Sequence, residues 1–148
     1  MKILCAIDDS QFSNSVIDAL IRQAKPNETE VRVLHAIEPM VPFPEGYVWG
    51  DMVKITAAQR DEAQKLLVRA EQRLRDAGFR VTTAIAEGNP KVVIIDSAAE
   101  WRADVIMIGS HGRKGLDRFL LGSVSEAVAR HAQCSVQIVR LKPESAAL

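Results

Sequence analysis

Val105-Ile-Met-Ile-Gly109-Ser-His-Gly112-Arg-Lys-Gly-Leu-Asp-Arg-Phe-Leu-Leu-Gly122-Ser123 opens as an apolar run and closes on a helix start. Four consecutive apolar residues, Val105 to Ile108, read as a strand buried on both faces. Gly109, Gly112 and Gly122 then punctuate a loop, and Ser123-Val124-Ser125-Glu126 has the Ser-x-x-Glu form of a capping box, which predicts a helix start with Ser123 as its cap. A strand therefore delivers a glycine loop onto a helix N-terminus. Unpaired N–H groups and the positive end of the helix dipole make such a terminus an anion site. Glycine admits a phosphate where a Cβ would collide with it. A Walker loop is excluded because Gly115 precedes Leu116, and the tight G-x-G-x-x-G dinucleotide fingerprint does not occur. Spacing alone leaves two readings, a phosphate cradle and an ordinary strand-to-helix turn.

Outward from this stretch, strand-length apolar runs alternate with helix-length segments. Ile3 to Ile7 is a continuous apolar strand, with Asp9 and Ser10 offering a cap to the following helix. Phe12, Val16, Ile17, Leu20, Ile21 and Ala24 share one face of that helix, which Pro26-Asn27 stops. Val31 to Ile37 is the second strand. Glu38 to Gly50 is the one long irregular stretch, with three prolines, Phe43, Tyr47 and Trp49, and is a candidate lid, partner surface or variable covering loop. A long helix follows, with a capping-box match at Thr56 and Gln59, a stripe of Leu66, Leu67, Ala70, Leu74 and Ala77, and Gly78 as terminator. Phe79 to Ala86 is the third strand. Asn89 and Pro90 open another helix, Val105 to Ile108 is strand four, Val124 to His131 the last helix, and Val136 to Leu141 the closing strand. Strand-helix alternation of this kind implies a single α/β domain, a Rossmann-like three-layer sandwich around a parallel sheet. Ligands bind such sheets beyond the strands' carboxyl ends, where strand order reverses.

The Gly-two-Gly-nine-Gly-Ser pattern resembles the ATP-binding signature of the universal stress protein family. Members that do not bind ATP tend to lack its last glycine-serine portion. Lys2-Ile-Leu-Cys-Ala-Ile-Asp8-Asp-Ser10 resembles the family's opening strand, Val33-Leu-His-Ala-Ile37 its second, and Gly88-Asn-Pro90 with Ala103 to Gly112 its approach to the nucleotide loop. Cys134 to Arg140 resembles the closing strand, with Ser135 where the family commonly has proline. The likeness covers residues 1–141, leaving 142–148 as a flexible tail. It implies a five-stranded parallel sheet of order 3-2-1-4-5, which sets Asp8 and the glycine loop at one crevice. It also implies ATP as ligand and a homodimer formed through the last strand.

Composition narrows the partners. The chain has 148 residues, enough for one domain with a real core, and its 47% hydrophobic content is ordinary for a globular protein. Nineteen basic and nineteen acidic residues cancel, which gives little support to nucleic acid or a membrane surface as partner. Neither a membrane-spanning run nor a cleavable-signal pattern is apparent, so the expectation is a cytoplasmic protein. Cys5 and Cys134 sit beside apolar segments and read as buried free thiols in a reducing compartment.

The candidate nucleotide-binding residues are Asp8, Ala36, Ile108, Gly109, Gly112, Gly122, Ser123, Val124 and Ser125. The three glycines supply close backbone approach, and Ser123 and Ser125 add hydroxyl donors at the helix start. Glu126 is expected to fold back as the capping-box partner of Ser123. Asp8 is a candidate for the ribose hydroxyls or, indirectly, Mg²⁺, and equally for capping its own turn. By the resemblance, Ala36 and Ile108 flank the adenine, although both also suit the core. Arg113 and Lys114 are candidate phosphate contacts or solvated loop cations. His111 has no readable catalytic partner and reads as structural. No catalytic residue emerges. The leading function is a small ATP-binding stress-response or signalling protein with nucleotide as regulatory ligand. The alternatives are a weak ATPase or phosphotransferase, and a dimerisation or adaptor module with incidental nucleotide binding.

Overall fold

The computed structural model describes residues 1–39, 45–46, 48–112 and 120–141. Five strands form one parallel sheet: β1 (Lys2–Ala6), β2 (Glu30–Ile37), β3 (Arg80–Glu87), β4 (Val105–Gly109) and β5 (Ser135–Val139). Their order is β3-β2-β1-β4-β5, as the family resemblance implied. The chain builds outward from β1 to β3, then returns to place β4 on the other side of β1. Strand order thus reverses between β1 and β4.

Four α-helices cover the sheet: α1 (Gln11–Gln23), α2 (Trp49–Asp76), α3 (Pro90–Trp101) and α4 (Ser123–His131). Alternate residues of each buried strand face opposite ways, so each strand feeds two cores. Ile3, Cys5, Val31, Val33, Val81 and Met107 pack beneath α1 and α2, against Val16, Leu20, Leu67 and Leu74. Leu4, Ala6, Leu34, Ile106 and Ile108 pack on the other face against Ile94, Ala98 and Trp101 of α3 and Val128 of α4. The continuous apolar runs in the sequence are the trace of this two-sided burial.

Local signals explain the start of α3 and the end of α2. Asn89 caps α3, its side chain accepting the Lys91 N–H at 3.0 Å, with Pro90 in the first turn. Gly78, at φ +95°, ends α2 with the Phe79 N–H bonded back to the Leu74 carbonyl at 3.1 Å. The start of α2 departs from expectation. It begins at Trp49, with Val48 as its cap residue, and Thr56 and Gln59 lie inside it as ordinary helical positions. A Ser/Thr-x-x-Gln match marks a start only where the preceding residues leave the helix, and here they do not. The closing strand is Ser135–Val139, one residue earlier at its start and two at its end than the apolar run suggested. Residues 40–44 and 47 of the irregular stretch, and the proposed tail at 142–148, lie outside the described residues.

The mouth of the sheet between β1 and β4

Ala6 of β1 lies opposite Ile108 of β4, so Asp8 and Ser110 leave their strands at the same level on either side of the reversal point. The two segments meet there. A Cβ on Gly112 would stand 2.9 Å from Asp8 Oδ2, so Gly112 lies directly beside the carboxylate. Ala36 and Ile108 share the α3–α4 side of the sheet with Ala6 by strand parity, Ile108 buried and Ala36 half-buried.

The Asp8 carboxylate is held by its own turn. Its Oδ1 accepts the Ser10 N–H at 2.8 Å and the Ser13 hydroxyl at 3.2 Å, and the Ser13 Oγ in turn accepts the Asp8 N–H at 2.8 Å. The turn's donors thus fall on Oδ1, while Oδ2 is the oxygen beside Gly112. Ser10 is the cap residue of α1 but makes no side-chain cap bond, and its hydroxyl is enclosed without a partner among the described residues. The His35 Nδ1–H donates to the Ile7 carbonyl at 2.9 Å, which steadies β1 one residue before Asp8.

Across the crevice, the loop from Gly109 to Gly122 is braced at its neck. Ser110 is the hub. Its N–H donates to the Val139 carbonyl, and its carbonyl accepts both the Gly122 N–H and the Ser125 hydroxyl, all at 2.8 Å. His111 is buried beside it. The Leu120 carbonyl, an acceptor only, lies 2.5 Å from His111 Nε2, so that nitrogen carries the proton and Nδ1 accepts from the Ser110 hydroxyl at 3.1 Å. The ring also lies 5.5 Å from that of Phe12. The structural role expected of His111 is thereby specified: it stitches the two sides of the loop together.

The three glycines differ in what their missing side chain admits. At Gly109 a Cβ would fall 2.7 Å from the Cβ of Phe12, so this bare position lets α1 close on β4. At Gly122 it would fall 3.1 Å from His111 Cα and 3.2 Å from the Ser110 carbonyl, so this one closes the neck. Only Gly112 faces the Asp8 carboxylate.

Helix α4 begins at Ser123, yet its cap residue is Gly122, and the expected capping box does not form. Glu126 N–H bonds to the Gly122 carbonyl at 2.9 Å, while the Glu126 carboxylate pairs forward with Arg130 at 3.1 Å instead of folding back to Ser123. The neck brace explains the shift, because the Gly122 amide is tied to Ser110 and fixes where the helix starts. The Ser125 hydroxyl is buried and donates to the Ser110 and Gly122 carbonyls, whereas Ser123 is exposed. The N–H groups of Ser123, Val124 and Ser125 occupy the first turn and lack intrahelical acceptors. Val124 packs against the α3–α4 core. Arg113 and Lys114 lie outside the described residues.

Two cysteines are free, Cys5 buried in the sheet and Cys134 half-buried. Burial pushes the Cys5 thiol up to about 12. Among the described residues no cluster of three His, Cys, Asp or Glu is arranged for a metal ion, and no helix is long and apolar enough to cross a membrane.

Residues 1–140 match the family model described as the universal stress protein family. The chain belongs to that family. It is 32% identical to the universal stress protein YxiE of Bacillus subtilis over 149 residues, covering 94% of this chain and 98% of the relative. The hypothetical protein MJ0577 superposes with a TM-score of 0.84 at 29% identity, covering 95% of this chain and 96% of that one. The universal stress protein of Archaeoglobus fulgidus in complex with dAMP superposes at 0.65 and 25% identity, covering 94% and 97%. Two more distant structures that share the fold are family members solved with cAMP and with AMP, at TM-scores of 0.70 and 0.69.

Proposed function

We propose that this universal stress protein binds an adenine nucleotide, ATP with Mg²⁺, as a regulatory ligand in a cytoplasmic stress-response or signalling role. The observation that carries the reading is the meeting of Asp8 Oδ2 with the bare Cα of Gly112 at the strand-order reversal. A Cβ there would fill the gap between carboxylate and loop. The first-turn amides of α4 suit the phosphates, Asp8 suits the ribose or the hydrated metal, and Ala36 and Ile108 offer apolar surface for the base. The nucleotides held by the A. fulgidus protein and other solved family members support the same class of ligand. ATP offers a polyanion to these amides, and the bonds of Ser110 and His111 fix the described ends of the loop beside them.

Self-association through β5 belongs to the same proposal. This edge strand exposes Ser135 and half-exposes Val136, Gln137 and Ile138, an apolar edge suited to a second copy. Equilibrium titration of ATP tests the main reading, with Gly112→Val as comparison. Binding by the parent chain and its loss in the variant are expected, and no affinity in either ends the reading. Turnover below roughly 1 per second is expected for a regulatory ligand, and faster hydrolysis would make this an enzyme.

A further inference from the structure

We infer that Ser13 is a positioning residue for ribose recognition: it locks the Asp8 carboxylate so that a single oxygen, Oδ2, is offered to a ribose hydroxyl. The inference rests on the nucleotide reading above and deepens it. Ser13 is a buried polar residue of α1, on the helix face that otherwise carries Phe12, Val16, Ile17 and Leu20. A hydroxyl in an apolar stripe costs free energy unless it is bonded, and this one is bonded twice, to the same residue. Its Oγ accepts the Asp8 N–H at 2.8 Å and donates to Asp8 Oδ1 at 3.2 Å. The Ser10 N–H reaches the same Oδ1 at 2.8 Å. Two donors on one oxygen fix the side-chain torsions and leave Oδ2 on the Gly112 side, where a Cβ at that glycine would stand 2.9 Å away.

The arrangement selects among the two roles open to Asp8. An oxygen held firmly at one point suits a hydrogen bond from a sugar hydroxyl, whose donor must lie near 2.7 Å and well aligned. Removing the Ser13 hydroxyl leaves Oδ1 with one donor and frees the carboxylate to rotate, so the ribose bond must then be formed against restored side-chain entropy.

The test is calorimetric titration of ATP, 2′-deoxy-ATP, 3′-deoxy-ATP and 2′,3′-dideoxy-ATP into the parent chain, Ser13→Ala and Ser13→Thr, with and without Mg²⁺. Ser13→Ala is expected to weaken ATP roughly 2- to 10-fold, the range for one hydrogen bond. It should leave the dideoxy nucleotide unchanged, and Ser13→Thr should restore most of the ATP affinity. Equal weakening of all four nucleotides would overturn the inference by showing a merely structural role. So would an unaltered ATP affinity, or a loss that vanishes without Mg²⁺, which would place Asp8 on the metal. If Ser13→Ala does not fold, Ser13→Cys, with a weak donor of similar size, must show the same selective loss. A parent chain that binds none of the four nucleotides sinks the nucleotide reading itself, whereas ATP binding with no Ser13 selectivity sinks only this inference.

Discussion

The two ends of this parallel sheet solve opposite problems. At the amino end, polar groups are tied to near neighbours. The Lys2 N–H donates to Asp104 at 2.6 Å, the Asp104 N–H donates to the Lys2 carbonyl at 2.8 Å, and the amino terminus bonds the Glu28 carbonyl at 2.9 Å. Lys2 Nζ and the Arg32 guanidinium sit 5.2 Å and 4.7 Å from the Trp101 ring, which is only 9% exposed. At the carboxyl end, by contrast, glycine positions replace side chains, one Asp8 oxygen is left out of the turn's bonding, and the Ser10 hydroxyl has no partner among the described residues. One end is closed by mutual pairing. The other is braced at Ser110 and His111 and keeps polar groups outside that pairing.

The contrast can be broken from either side. Trp101→Ala should cost about 3–5 kcal/mol, because it empties a buried aromatic site and leaves two cations without their ring. Denaturant unfolding would measure the loss, and nucleotide affinity per folded molecule should stay within about twofold of the parent. A large affinity change would show that the ends are not independent.

Cys5, midway along β1, tests the sheet between the ends. Its folded thiol is raised to about 12 from 9.0, so the folded state holds the proton more tightly than the unfolded chain. Its contribution is present below pH 9 and is lost as pH rises from about 9 toward 12, by up to about 1.4 kcal/mol per pH unit. Cys5→Ala should show a shallower alkaline decline in unfolding free energy, despite being less stable at neutral pH.

At the carboxyl end, Gly112→Val should weaken ATP at least about tenfold (about 1.4 kcal/mol) by pushing on Asp8, with the unfolding midpoint nearly unmoved. Binding at parental strength would separate Gly112 from the site. The smallest effect expected is from Ser125→Ala. Loss of a bifurcated buried hydroxyl should lower stability by about 1 kcal/mol, since both carbonyls keep an amide donor. A thermal melt would detect it.

How much of this was legible in residues alone follows the same division. Local chemistry writes itself into sequence: Asn89-Pro90 opens α3 and continuous apolar runs mark buried strands. The reversal between β1 and β4 followed from the family resemblance, since alternation by itself does not order strands. Features created by closure were hidden. Ser123 looked like a cap because Glu126 stands three residues on, yet the tie from Gly122 to Ser110, twelve residues back, moves the cap by one position. The sequence did not show that the bare Cα atoms of Gly109 and Gly122 lie against Phe12 and His111. Ser13 went unremarked because a serine within an apolar face carries no periodic signal. Its place five residues after Asp8, within one turn of the helix start, was the available clue.

Helix α2 has 28 residues, about 42 Å of helix, far longer than any strand it covers. Its first turns stand beside the ends of β2 and β3, near Ile37 and Glu87, and leave Trp49 77% exposed. The chain's two tryptophans are therefore distributed one to a pole, Trp49 in water and Trp101 in a dry, cation-flanked niche. Native emission should contain a long-wavelength and a short-wavelength component, separable by quenching with iodide. A single fluorimeter can thus watch the two ends of the sheet as independent channels, without a label.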